Sequence, residues 1–295
     1  MMAEGTILDP SFLHRLERLR LATKRAMRGT HAGKRRSRNT GSSLEFADYR
    51  VYAPGDDLRQ LDWNAYARSG KLFVKKFLDE QEVHISLYID CSKSMTYGEP
   101  SKFQRAVQLA AALGYLSLHH LDYVSVYAFT DRVQASLLSL HGKGGVHQLF
   151  QLLASLEPMG AGNLNEALRS GHAVQGKPGI SIVLSDFLFP AGYEQGIGFV
   201  QAARQEVALV QLLTSEERRP GYEGGLRLID SETQEQREIS FTPVLLAEYH
   251  RAVAAFQAKL AAYAHRRGMH YFNVEPELPV EQVVLHLFRQ SGLIR

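Results

Sequence analysis

Asp90, Ser92 and Ser94 stand at alternate positions, with Cys91 and Lys93 between them. A second pair, Ser185-Asp186, follows 95 residues after Asp90. Carboxylates and hydroxyls are hard oxygen donors, the kind that suits Mg2+ or Mn2+. Two serines two residues apart on a loop can both point into one site. Mg2+ usually keeps several waters, and a position left to water can accept a carboxylate from a partner. Gly160-Ala161-Gly162-Asn163-Leu164 lies between the two groups, a glycine-rich loop entering a helix. The blander reading is that Asp90, Ser92 and Ser94 only cap the helix that follows, since Asp and Ser are favoured there. Ser185-Asp186 in a matching position favours the metal reading.

These groups meet only if strands carry them to one edge of a sheet. Residues 84–90 (HISLYID) read as a short strand, and 102–121 as a long helix with a broad apolar face. Residues 123–129 (YVSVYAF) alternate as a strand does, and 133–140 can pair with them. Helices are predicted over 146–156 and 163–174. Residues 180–184 (ISIVL) form a continuous apolar run, the signature of a strand buried on both faces. A helix over 193–205 precedes a strand over 207–213, and a polar hairpin over 226–239 suits a sheet edge. A helix over 244–267, a strand over 271–274 and a helix over 280–293 complete the pattern. Alternating strands and helices predict an α/β fold, with a mostly parallel sheet and helices on both faces. In such folds the ligand sits at the carboxyl ends of the strands, where strand order reverses. Asp90 and Ser185-Asp186 both end strands.

Upstream, Asp9 and Pro10 form a helix start signal, and Leu13, Leu16 and Leu19 make a narrow apolar stripe. The chain's net charge is +3, but residues 15–38 carry +9, which leaves −6 for the rest. The run Lys34-Arg35-Arg36-Ser37-Arg38 lies in this basic segment. Beyond it, residues 41–63 hold a second motif of mixed charges and aromatics around the turn Pro54-Gly55-Asp56-Asp57. Arg50, Arg59 and Arg68 there face Asp48, Asp56, Asp57 and Asp62. That composition predicts an ion-paired structural motif with Trp63 buried as its anchor.

Several function classes are disfavoured. Of the 295 residues 45% are hydrophobic and 22% charged, enough for a sizeable core. The single cysteine, Cys91, cannot form an internal disulfide, and a thiolate zinc site needs more ligands. The longest apolar stretch, 106–121, is interrupted by Gln108, Ser117, His119 and His120, so no segment reads as membrane-spanning. No basic cap precedes an apolar core at the start of the chain, and the expected compartment is the cytoplasm. The basic segment could neutralise phosphates or dock on anionic lipid, yet it lacks interleaved aromatics for base stacking. A metal-dependent hydrolase using Asp90 and Asp186 is the main enzymatic alternative. It needs a general base, and none of the 12 histidines lies in either loop. Cys91 as a nucleophile has no assignable His or Asn partner.

The Asp-x-Ser-x-Ser pattern, its place after the first apolar strand and the later Ser-Asp together resemble the metal-ion-dependent adhesion site of von Willebrand factor A domains. The resemblance implies a doubly wound α/β fold that binds protein partners through Mg2+ or Mn2+. Asp90, Ser92, Ser94 and Asp186 would hold the ion, directly or through water. The threonine usual in the third loop is absent. The chain has Gly162-Asn163 there, and Asn163 is the candidate to supply an oxygen. Across nearly the whole chain a second resemblance holds, to domain-of-unknown-function family 58. Its carriers are the basic segment, Glu45-Phe46, Arg50-Val51-Tyr52, Pro54-Gly55-Asp56-Asp57, Asp62-Trp63 and Ala67-Arg68, running into the von Willebrand-like part. It implies a bacterial or archaeal protein that works beside a MoxR-type AAA+ ATPase in chaperone-like maturation or activation of a client protein. Many relatives carry N-terminal membrane helices, so this chain resembles a soluble member. On this reading residues 1–79 are an N-terminal extension and 80–295 a von Willebrand factor A-like domain. The expected function is non-enzymatic protein binding.

Overall fold

The computed structural model describes residues 7–22, 45–56, 58–78, 82–169, 174, 176–221, 224–230 and 235–295. The basic run Lys34–Arg38, with Gly41–Leu44, Asp57 and His172, lies outside the described residues. Two compact units divide the chain at 82/83. Residues up to 22 belong with 83–295, and those between 23 and 82 form the other unit. The sequence suggested one break at 79/80. The first segment instead joins the larger unit, because its apolar stripe has a surface there to cover.

That segment begins with helix α1 (Pro10–Leu16), capped as the sequence predicts: Asp9 Oδ1 accepts from Ser11 N at 2.7 Å. Leu8, Phe12, Leu16, Leu19 and Leu21 are buried in the main core. Burying side chains of this size contributes about 1.5–3 kcal/mol each.

The smaller unit pairs β1 (Glu45–Val51) antiparallel with β2 (Phe73–Leu78), with α2 (Trp63–Ser69) between them. Asp62 caps α2: its Oδ1 accepts from Asn64 N at 2.9 Å and Ala65 N at 3.0 Å. The Tyr49 hydroxyl donates to Asp62 Oδ2 at 2.8 Å. Gly70 ends the helix at φ +68, a conformation that favours glycine. Arg50 pairs with Asp56 at 2.6 Å, so part of the expected ion pairing is present. Trp63 is not the buried anchor: it is 63% exposed at the start of α2, edge-on to Tyr66. Leu61 and Val74, which bridge to each other, are buried instead.

In the larger unit, six strands form one sheet. They are β3 (His84–Asp90), β4 (Tyr123–Phe129), β5 (Val133–His141), β6 (Gly179–Ser185), β7 (Glu206–Leu212) and, after a separate hairpin, β10 (His270–Val274). Their order is β10-β7-β6-β3-β4-β5, and only β5 runs antiparallel to its neighbour. The hairpin of β8 (Gly224–Ile229) and β9 (Gln236–Phe241) makes its own two-stranded sheet and does not extend the edge of the large one.

Side chains alternate across the large sheet, as the pleat requires. Ile85, Leu87 and Ile89 enter the core under α1, α3 (Lys102–His119) and α4 (Gly145–Ser155). Tyr88 enters the opposite core, with side chains from α5 (Leu164–Ala167), α6 (Glu194–Ala202) and α8 (Pro243–Arg266). A short helix α7 (Ser215–Arg218) follows β7, and α9 (Val280–Gln282) continues into a π-helical turn over Val283–Phe288. The helix expected over 163–174 is shorter: α5 ends at Ala167, and Leu168 and Arg169 form a turn. The mostly parallel sheet with helices on both faces is therefore present. No helix among the described residues is long and apolar enough to cross a membrane.

Candidate functional site

Strand order reverses between β3 and β6. The chain leaves β3 toward β4 on one side and returns to β6 on the other. A crevice at that reversal is where parallel sheets place ligands. The predicted residues gather there. Asp90 ends β3 and is fully buried. Its Oδ1 accepts from Ser92 N at 2.9 Å, and its Oδ2 accepts from Ser185 Oγ at 2.6 Å across the β3–β6 boundary. Ser185 Oγ in turn accepts from Phe187 N at 2.9 Å. Burial, with the Asp186 carboxylate nearby, pushes the Asp90 carboxyl up to about 7.

Ser92 is buried and Ser94 half-buried, and their hydroxyl oxygens lie 3.0 Å apart. The loop carrying Asn163 is laced to the β3 loop: Met159 N donates to Cys91 O at 2.7 Å and Lys93 N to Gly160 O at 3.0 Å. Asn163 caps α5, its Oδ1 accepting from Glu166 N at 3.2 Å. Asp186 is buried, with Oδ1 accepting from Leu188 N at 3.0 Å. Its Oδ2 accepts from a residue the sequence reading did not select, Lys102, whose Nζ lies 2.9 Å away.

Lys102 is 1% exposed and also donates to Glu217 Oε1 at 2.6 Å. Burial alone would lower its ammonium, but the Asp186 and Glu217 carboxylates outweigh that and hold it above the ordinary lysine value. One signal marks Lys102 in the sequence: it is a cation in the first turn of a long helix, where the macrodipole disfavours positive charge. Glu217 occupies the capping box of α7, its Oε2 accepting from Thr214 N at 2.9 Å.

Octahedral Mg2+ binds oxygens at about 2.1 Å, which separates neighbouring ligands by about 3 Å. The Ser92–Ser94 pair matches that edge. The other donors are committed elsewhere: Asp186 to Lys102, Asn163 to its helix cap, and Asp90 to Ser92 and Ser185. At Gly162, in the third loop, a Cβ would lie 2.7 Å from the Phe189 ring and 3.1 Å from Ser92 Cβ. The space for a side chain there is already filled. As arranged, the donor set does not fit a resident divalent cation. Nor do the described residues hold a cluster of three or more His, Cys, Asp or Glu suited to a metal.

Cys91 is buried beside this site, its Sγ 3.6 Å from Ile89 O. Burial, then the Asp90 charge, pushes its thiol up to about 12, so it is protonated at neutral pH. His119 and His120 lie at the far end of α3. His120 Nδ1 accepts from Arg20 Nε at 3.0 Å, and its Nε2 lies 2.6 Å from Leu19 O, so it binds the first segment.

The chain belongs to the family described as protein of unknown function DUF58, whose model matches residues 48–259. It is 28% identical over 265 residues to the uncharacterised proteins Rv1480 of Mycobacterium tuberculosis and Mb1516 of Mycobacterium bovis. The match covers 88% of this chain and 83% of each relative. Among solved structures, it is similar to the conserved hypothetical protein BatB of Bacteroides thetaiotaomicron, at TM-score 0.42 and 14% identity, over 71% of this chain and 98% of that one. An aerotolerance-related membrane protein of Bacteroides fragilis gives TM-score 0.41 at 13% identity, with the same coverage.

Proposed function

We propose that this chain is a non-enzymatic protein-binding module whose larger unit is von Willebrand factor A-like. It recognises its partner at the carboxyl edge of the six-stranded sheet. The observation that carries this reading is the surface of that edge. Tyr97, Met159 and Leu188 are exposed on the three loops that hold Ser92, Gly160 and Asp186. Large apolar and aromatic side chains around a polar centre suit a protein interface better than a small-molecule cleft. The partner class is carried over from the family: a MoxR-type AAA+ ATPase, with a client protein matured or activated by the pair in the cytoplasm. Co-purification of the chain with the MoxR-type ATPase of its own genome tests this. A stable complex supports it, and failure of the two to associate overturns it.

The hydrolase alternative has less support. It asks Asp90 and Asp186 to hold a water-activating metal, whereas Lys102 engages Asp186. The Cys91 thiol is held protonated. Phosphatase, nuclease and peptidase assays should give no activity that Asp90→Ala removes.

A further inference from the structure

We propose that Lys102 supplies, from within the chain, the positive charge that a divalent cation would bring to this edge of the sheet. The site is then assembled without Mg2+ or Mn2+. This concerns how the site is held together, and it stands whichever protein binds there.

A lysine with 1% of its side chain exposed is costly unless its charge is paired. Lys102 is paired twice. It reaches from α3 to Asp186 after β6 and to Glu217 after β7, so one ammonium ties together the loops of two neighbouring strands. Joining carboxylates from separate loops is the structural work of a metal at such a site. An ammonium does it with three donors in place of an octahedral shell.

Both ends of the bridge are fixed independently. The capping box of Ser101 and Gln104 sets the first turn of α3, where Lys102 sits. Thr214 holds Glu217 through both its N–H and its hydroxyl, at 2.9 and 3.1 Å. Gln211 Nε2 donates to the Asp186 carbonyl at 3.1 Å, which steadies the backbone of the second anion.

A second observation is independent of the lysine. The third loop offers no side-chain oxygen at residue 162, and the Phe189 ring fills the room such a side chain would need. Phe189 is itself buried, so the ring is a packed part of the site. Asn163, next in the chain, turns its oxygen to the start of α5. The chain thus has an internal cation between Asp186 and Glu217, and a closed position where a metal ligand would enter.

The test uses the full chain in buffer freed of divalent ions. MnCl2 is titrated in calorimetrically, and melting is followed with Mg2+, Mn2+ or EDTA. The expected result is no saturable Mn2+ binding and one melting temperature in all three conditions. A functional metal site would raise the melting temperature by roughly 5–10 °C at a hundredfold excess over its dissociation constant. Such a rise, or saturable Mn2+ uptake that Ser92→Ala with Ser94→Ala abolishes, overturns the proposal. Lys102→Met is expected to lower the melting temperature, and adding Asp186→Asn should recover part of the loss by removing the stranded charge. A Lys102→Met protein that melts with the wild type also overturns it. Should Lys102→Met fail to fold, the Mn2+ titration of the wild type decides alone.

Discussion

Asp90 and Cys91 are adjacent, both buried, and both shifted upward by that burial. Asp90 has a folded-state value of about 7 against an ordinary 3.8. A carboxyl raised on folding holds its proton more tightly in the folded chain. Its contribution to stability is full below the unfolded value and is lost as pH rises through the folded one. The wild type should therefore lose stability between about pH 4 and 7 relative to Asp90→Asn, as thermal melts across that range would show. Cys91 should resist a thiol reagent in the native protein and react fully in denaturant; rapid native labelling would contradict its burial. Ser185→Ala removes a donor to Asp90 and an acceptor for Phe187 N. It should cost about 1–3 kcal/mol in urea denaturation. Gly162→Thr, although it adds a hydroxyl, should destabilise the chain, because Phe189 occupies the space. At this scale the sequence is informative where a polar motif directly follows an apolar strand. The Asp-x-Ser-x-Ser loop and Ser185-Asp186 do meet, because β3 and β6 are neighbours. Lys102 ends no strand and belongs to no such pattern; it lies in the first turn of α3, and only the tertiary packing of α3 brings it to Asp186 and Glu217. The closure of residue 162 by Phe189 likewise depends on tertiary packing.

Among the elements, the strands of the large sheet were the most legible. Residues 84–90 read as a short strand and 180–184 as a continuous apolar run; both are buried, and the structure pairs them in parallel register. The hairpin of β8 and β9 is readable as a hairpin, but its separation from the large sheet is not, because pairing partners are a tertiary choice. Trp63 departs from expectation for a related reason: a large aromatic suggests an anchor, yet at the first position of a capped helix it lies exposed. α1 shows how far a local signal extends. Its cap and stripe were visible, but not the surface it covers. That surface includes α3, where the Tyr115 hydroxyl donates to Glu17 at 2.8 Å. Phe12 is 1% exposed, so Phe12→Ala should destabilise the larger unit by about 3–5 kcal/mol. A shift of the denaturation midpoint far below that would mean the segment is only loosely docked. Gly179 makes the opposite demand: a Cβ there would lie 1.9 Å from His84 O.

For the whole molecule, the proposed function is recognition of a partner by contact. On this proposal the carboxyl edge of the large sheet is the binding face. Its most direct test is the affinity of the MoxR-type ATPase for the wild-type chain and for a Lys93→Glu, Leu188→Asp variant. Both residues are exposed, so the variant should melt with the wild type. The expected result is a saturable complex that the variant weakens by about tenfold or more, a loss of at least about 1.4 kcal/mol. A complex of unchanged affinity, or none with the wild type, would contradict it.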